Sequence, residues 1–473
     1  MKGRTFWVLL LAFLAGGGVL AWQAWQTWLG ELPPGFASGN GRVESVQVDV
    51  TTKEPGRVEK ILIHEGDMVS PNQIVAKMDT VTLEAELARA EATVAEQEAK
   101  SFEVDAAIAK AESQLKLDEL EFGGWDLFPD DAYTAARHAG VLSEKHLAEV
   151  KEDLQAIRPM PAVFYPEFVR RLHGTHLKTG QSKADMVEQL RSDIRGFVKE
   201  RGCTRAVAVW CGSTEVYAQA EAVHESISSF ERGLEKSDPA ITNSQMYGWA
   251  LLKERVPFAN GSPNLAVDFP AAAQLARENR VVIAGKDFKT GQTLLKTVIA
   301  PGLKSRALGV RGWYSTNILG NRDGEVLDDP GSARAKEESK LSVLETIFEN
   351  GAEKELYAEL AHKVRIDYFP PRGDDKEAWD SIDFFGWLGY PMQMKINLLC
   401  KDSILAAPLV LDLALLLDLA QRSGLDGALE WLGFYFKSPM HAPEHAPEHD
   451  LFAQQRKLEH ALRSIMGEEY AAD

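Results

Sequence analysis

Cysteine is nearly absent, with Cys203, Cys211 and Cys400 the only three in 473 residues. That excludes a disulfide framework, and the apolar neighbours of these residues predict buried thiols in a reducing compartment. A basic excess is lacking too: the formal charge is −18 at pH 7 and the pI is near 5.2. Phosphate affinity comes from lysine and arginine, so general nucleic-acid binding is excluded and any phosphate site must be local. Long apolar runs are few. One covers residues 6–22; another, 409–419, is cut by Asp412 and Asp418 and predicts a buried helix of a domain. No metal site is predicted. His441, His445 and His449 are four residues apart, but Pro443 and Pro447 break the helix that would put them on one face. What remains, 45% hydrophobic and 26% charged, suits two or three globular domains.

Residues 6–22 follow Lys2 and Arg4 and run on to Trp25 and Trp28. This predicts a single-pass inner-membrane anchor over 6–29 with the rest outside the cytoplasm, a cleaved signal peptide being the alternative. A Pro/Gly linker covers 32–41. Short β-type runs follow: Val43, Val46, Val48 and Val50, then Gly56-Arg57-Val58, Ile61-Leu62-Ile63 and Ile74-Val75-Ala76. From Leu83 the period turns helical. Leu83, Leu87, Ala90, Val94, Val104, Ile108, Ala111 and Leu115 form a coiled-coil seam, interrupted at Gln97 and Ser101, that requires a partner helix.

The most informative stretch is 281–296. An apolar strand-type run breaks at Gly285 into a loop with Lys286, Asp287 and Lys289, and Gly291-Gln292-Thr293 opens a helix that carries Lys296. Free N–H groups at such a helix start suit an anion, toward which Lys289 and Lys296 can lean; solvated lysines on a surface loop are the plainer alternative. Lys336 and Lys340 stand at i, i+4 on a helical pattern. They repel by a few tenths of a kcal/mol, so either an anion lies between them or Glu337 and Glu338 neutralise them on a solvated face. Ala206 to Trp210 reads as a strand with Ser213-Thr214-Glu215 at its carboxyl end, where open α/β sheets gather ligands; a helix N-cap is the alternative for Ser213 and Thr214.

Five blocks in order carry a resemblance: Phe122-Gly123-Gly124-Trp125-Asp126, Asn260-Gly261-Ser262-Pro263, the 281–296 stretch, Leu319-Gly320-Asn321-Arg322-Asp323-Gly324 with 336–340, and Asp402-Ser403-Ile404-Leu405-Ala406-Ala407-Pro408. From about 122 to the C-terminus the chain resembles the bacterial inositol-3-phosphate synthases. Residues 1–121 instead resemble the start of a periplasmic adaptor of the haemolysin-secretion type. Lys77 lies at the end of a half-module, which argues against a lipoylation site.

The resemblance implies an α/β protein with an incomplete Rossmann-like dinucleotide domain (122–280) and an α+β catalytic and tetramerisation domain (281–395). Helices at 396–473 return to the first domain. An anchor (1–31), a half lipoyl-like module (41–80) and a coiled-coil helix (81–121) precede them. It also implies NAD-dependent conversion of D-glucose 6-phosphate to 1L-myo-inositol 1-phosphate in a homotetramer, cytoplasmic in the parent synthase. Lys289, Lys296, Lys336, Lys340, Lys437, Asp287 and Asp374 are the implied catalytic residues. Gly124, Ser213, Thr214, Asn260, Ser262 and Asp323 are implied for the cofactor. The family's glycine-rich turn over the NAD pyrophosphate has no counterpart before Phe122, since the only glycine cluster there is Gly16-Gly17-Gly18. The composite leaves two other readings, a membrane-anchored adaptor fragment of a secretion or efflux system and a gene-model join without a single function.

Overall fold

The computed structural model describes residues 2–30, 57–70, 73–80, 119–349, 354–442 and 444–467. The β-type run at 43–50 and the coiled-coil seam at 83–115 lie outside these residues. The chain divides into two units, Met1–Val94 and Ala95–Asp473.

In the first unit, helix α1 (Lys2–Gly30) exposes every side chain from 7 to 28. Its Trp7–Trp28 segment is long and apolar enough to cross a membrane, a test that a signal sequence also passes. Strands β1 (Val58–Ile61) and β2 (Ala76–Met78) pair antiparallel, with a turn at Gly66 whose φ of 95° favours glycine.

Among its described residues the second unit holds a four-stranded parallel sheet, a four-stranded mixed sheet and a two-stranded parallel pair of Trp125–Asp126 with Met160–Pro161. The parallel sheet is made of β3 (Ala208–Trp210), β4 (Phe258–Asn260), β5 (Val282–Gly285) and β10 (Gly427–Ala428), in the order β10-β5-β4-β3. Its strands read as continuous apolar runs because both faces are covered. On one face Phe258 and Ile283 meet helices α2 (Lys183–Glu200), α3 (Asn243–Lys253) and α4 (Pro270–Glu278), with the Phe230 ring 4.3 Å from Trp249 and 5.1 Å from Phe269. On the other, Ala259, Val282 and Ala284 meet Leu413, Leu416 and Leu417 of α7 (Asp402–Arg422), and Leu458 and Leu462 of α8 (Leu451–Ile465). The helix predicted over 409–419 is thus longer, and only half-buried: Ile404, Leu405 and Leu411 are exposed.

The mixed sheet, order β9-β8-β6-β7, contains β6 (Gly309–Leu319), β7 (Ala361–Tyr368), β8 (Asp375–Phe385) and β9 (Pro391–Lys401). Strand β8 is antiparallel to both neighbours, and β6 and β7 are parallel. Helices α5 (Gly291–Ser305) and α6 (Pro330–Glu349) cover one face through Leu303, Val343, Leu344, Trp313 and Ile382. The expectation of buried thiols is corrected: Cys211 is exposed and Cys203 and Cys400 are half-buried, since each sits at a strand or helix end instead of its middle. All three are free.

Candidate active site

The loop after β5 is fixed by backbone pairing on two sides. Asp287 N donates to Ser262 O at 3.1 Å and Phe288 N to Gly261 O at 3.1 Å, while Lys437 N donates to Asp287 O at 2.6 Å and Lys289 N to Tyr435 O at 2.8 Å. Asp287 takes a φ of 62°, a left-handed conformation that Asp tolerates better than most residues. These pairings put Lys437 beside the Asp287 carboxylate, although 150 residues separate them.

Asp287 is the buried hub. Its Oδ1 accepts from Lys336 Nζ at 2.8 Å and Lys437 Nζ at 3.0 Å, and its Oδ2 from Ser339 Oγ at 2.8 Å. Burial alone would raise its pKa; the two ammonium groups outweigh burial and hold it well below the carboxylate range. A second hub is Asp402, at the start of α7, which accepts from Lys376 Nζ at 2.9 Å and Thr290 Oγ1 at 2.8 Å. It too is held low by lysines against its own desolvation.

Between these hubs lies Lys340, 4% exposed. Among the described residues its ammonium has neither a carboxylate nor a hydrogen-bond partner. Burial, and then Lys376, Lys437, Lys336 and Lys296, drive its pKa far down. A buried cation ringed by four others is stable only when neutralised by a proton's departure or an anion's arrival. Lys437 and Lys296 are also buried, and each amine is pushed down to about 8 by desolvation. Lys336 moves the other way: Asp287, Asp323 and Asp402 overcome its burial and hold its charge.

The sequence candidates separate accordingly. Asp287, Lys336, Lys340 and Lys437 come together, with Lys296 at the edge of the cluster, its Nζ 2.8 Å from His362 Nε2. Asp374 stands beside it, its Oδ1 accepting from Asn321 Nδ2 at 2.9 Å and Ser403 Oγ at 3.2 Å. Lys289 is directed elsewhere, because its backbone bond to Tyr435 turns the side chain onto Gln454 and the Phe434 ring. Its pKa is lowered to about 7 by burial. Lys376 and Asp402 were missed as site residues. Lys376 reaches Asp402 through the hairpin register that sets it opposite Cys400, a long-range pairing with no local sequence mark.

The cofactor candidates follow the carboxyl ends of β3 and β4. Asn260 Oδ1 accepts from Ser262 N and Oγ, both at 3.1 Å, and Asn264 links Ser213 O to Glu215 N. Thr214 is buried in the loop after β3, and no helix starts there to be capped. Asp323 lies in the first turn of the helix Arg322–Leu327 and adds its field to Lys336. Gly124 and Ser213 line a cleft of about 570 Å³ beside β3, with Trp125, Phe197, Val209 and Trp210. The fit to a dinucleotide is partial. Polar groups and an open crevice are present at the strand ends, but among the described residues no strand, glycine turn and helix lie on the free side of β3 to hold a pyrophosphate.

Comparison with known proteins matches residues 86–463 to a family described as myo-inositol-1-phosphate synthase. Inositol-3-phosphate synthase 1 of Bacteroides thetaiotaomicron is 52% identical over 353 residues, covering 74% of this chain and 82% of that protein. The Homo sapiens protein of that name is 33% identical over 371 residues, with 74% of this chain and 65% of its own length covered. A solved inositol-3-phosphate synthase of Caenorhabditis elegans superposes with a TM-score of 0.69 at 25% identity, over 72% of this chain and 70% of that one. A related Thermotoga maritima protein shares the fold, with a TM-score of 0.56 at 22% identity over 69% and 83% of the two chains. The adaptor reading finds no support in these matches.

Proposed function

Since this chain belongs to the myo-inositol-1-phosphate synthase family, we propose that it is an inositol-3-phosphate synthase acting on D-glucose 6-phosphate with NAD as cofactor and releasing 1L-myo-inositol 1-phosphate. The observation that carries the substrate side is Lys340, a buried ammonium without a partner amid Lys296, Lys336, Lys376 and Lys437. A phosphate dianion supplies the missing countercharge. Lys336 stays charged through Asp287 and anchors the anion. Lys437 and Lys296, with amines near 8, can release and regain a proton at substrate oxygens near neutral pH, as enolisation and ring closure demand.

Affinity for a phosphate ester should therefore peak between two limits. Below about pH 6 the ester loses its second negative charge. Above about 8, Lys437 and Lys296 lose their protons and the anion loses cations. Calorimetric titration of glucose 6-phosphate from pH 5 to 10 checks this; a flat profile through pH 8–10 would reject the role of these two amines.

On the dinucleotide side, the only glycine cluster before Phe122 is Gly16-Gly17-Gly18, within the apolar run. NAD should bind the solubilised chain more weakly than it binds a version carrying a complete family N-terminus, and turnover should be impaired to match. Micromolar NAD affinity with inositol phosphate formation by the unmodified chain would overturn that expectation. We further propose that α1 anchors the chain in a membrane, supported by its exposed apolar Trp7–Trp28 segment. We also propose that the uncovered face of the mixed sheet and its hairpin tip, with Trp379, Trp387, Tyr390 and Leu399 exposed, join subunits in a tetramer. Cell fractionation and sedimentation of the purified protein check these two.

A further inference from the structure

The tandem His-Ala-Pro-Glu repeat over 441–449 takes no part in the lysine cluster. No helix forms over it, yet the loop brings two of its three histidines together. In both, Nδ1–H donates to the carbonyl of the next residue, His441 to Ala442 O at 2.8 Å and His445 to Ala446 O at 3.1 Å. A carbonyl can only accept, so when either ring is neutral its lone pair lies on Nε2, the tautomer that suits a metal ligand held through its other nitrogen. The two rings are 6.0 Å apart between centres. His449 differs from them: it is buried, and desolvation, then Lys289 and His441, push its ring down to about 3.

Glu430, at the start of the 3-10 helix Glu430–Tyr435, stands where the third histidine does not. Its Oε1 accepts from Ala442 N at 2.7 Å, which ties it to the repeat, and its Oε2 lies 3.2 Å from His445 Nε2. A ring lone pair and a carboxylate oxygen at that distance repel unless a cation touches both. Two ligand atoms on a tetrahedral zinc with bonds of about 2.1 Å are about 3.4 Å apart, close to this spacing. The same bonds set the centres of two imidazoles about 5.2 Å apart, so the exposed His441 has about 0.8 Å to close. Among the described residues no three such side chains already surround one point, and that closure makes the third bond. A cavity of about 20 Å³, room for one water-sized guest, is lined by Glu430, His441 and His445, with Glu448 and the exposed Lys457 at its border.

We propose that Glu430, His441 and His445 form a site for a divalent metal of the zinc class, which braces the loop that carries Lys437. Two imidazoles and one carboxylate suit zinc and its neighbours; magnesium and calcium take oxygen ligands. The brace follows from the order of the chain. Lys437 lies between Glu430 and His441, and Met440 N donates to Gly285 O at 2.7 Å, so a metal joining residues 430 and 441 closes the loop that reaches the active-site strand end.

The test is calorimetric titration of zinc chloride into the solubilised full chain, stripped of metal by chelator and dialysis, beside His441→Ala, His445→Ala and Glu430→Gln. The unmodified chain should show saturable binding that excess magnesium does not displace, with a rise in melting temperature as zinc saturates. Each substitution should weaken zinc by at least about tenfold, since even the loss of a group that only supports a metal ligand costs about 10–100-fold. The metal-free variants should melt with the metal-free parent, which shows that they fold. Zinc that does not saturate, that binds the three variants as it binds the parent, or that magnesium displaces would overturn the proposal.

Discussion

Replacing Lys340 with Met is expected to lower affinity for phosphate esters by about ten- to a hundredfold, while making the protein harder to unfold. The first effect follows from removing the central cation, since hydrogen bonds to charged groups contribute about 1.5–3 kcal/mol each and an oxyanion on this ammonium makes at least one. The second follows from what Lys340 costs the free protein. Its folded pKa is depressed, so below about pH 10.4 the unfolded chain takes up a proton that the folded chain resists. Wild-type stability therefore falls as the pH drops through that range, and the Met variant should lack this slope. Replacing a buried ion pair with well-packed apolar residues is often neutral or stabilising by about 1–4 kcal/mol, and removing a buried charge that has no partner should stabilise in the same sense. Urea unfolding of both proteins at pH 7 and 10, with glucose 6-phosphate titrations alongside, measures the two effects; a variant that is less stable and still binds would contradict this account.

Asp287→Ala should act in the opposite sense on stability. It strips the shared acceptor from Lys336, 13% exposed, and from the buried Lys437, and leaves them only the fields of Asp323 and Asp402 where there had been a hydrogen-bonded triad. Breaking such a buried pair costs about 3–5 kcal/mol. The pH dependence has the sign of a depressed carboxylate. Its stabilisation is complete above about pH 4, the unfolded value, and is lost as the pH falls toward the lowered folded value. The difference between wild type and Asp287→Ala in urea midpoint should thus shrink on acidification from pH 5 to 3. Asp287→Asn, which keeps an acceptor for Ser339, should fall between the two.

Local patterns revealed the frame of this site, and long-range pairings revealed its contents. The strand, loop and helix start at 281–296 were legible because an apolar run, Gly285 and the Gly291-Gln292-Thr293 opening are signals within one window. Lys336 and Lys340 were legible as a helical i, i+4 pair, and α6 bears them. The aim of a side chain is another matter. Lys289 and Asp287 are two residues apart in one loop, yet bonds to residues 435 and 437 send the first toward Gln454 and make the second the hub. Lys376 belongs to the site only because β8 and β9 pair in a register that brings it to Asp402. Neither fact has a signature in the nearby sequence.

The central claim is that Lys340 binds the substrate phosphate, and a crystal structure of the full chain with glucose 6-phosphate tests it most directly. The account predicts a phosphate oxygen about 2.8 Å from Lys340 Nζ, with Lys336 and Lys437 still on Asp287. A sugar phosphate bound elsewhere, or Lys340 still without an anion at saturating ligand, would contradict it.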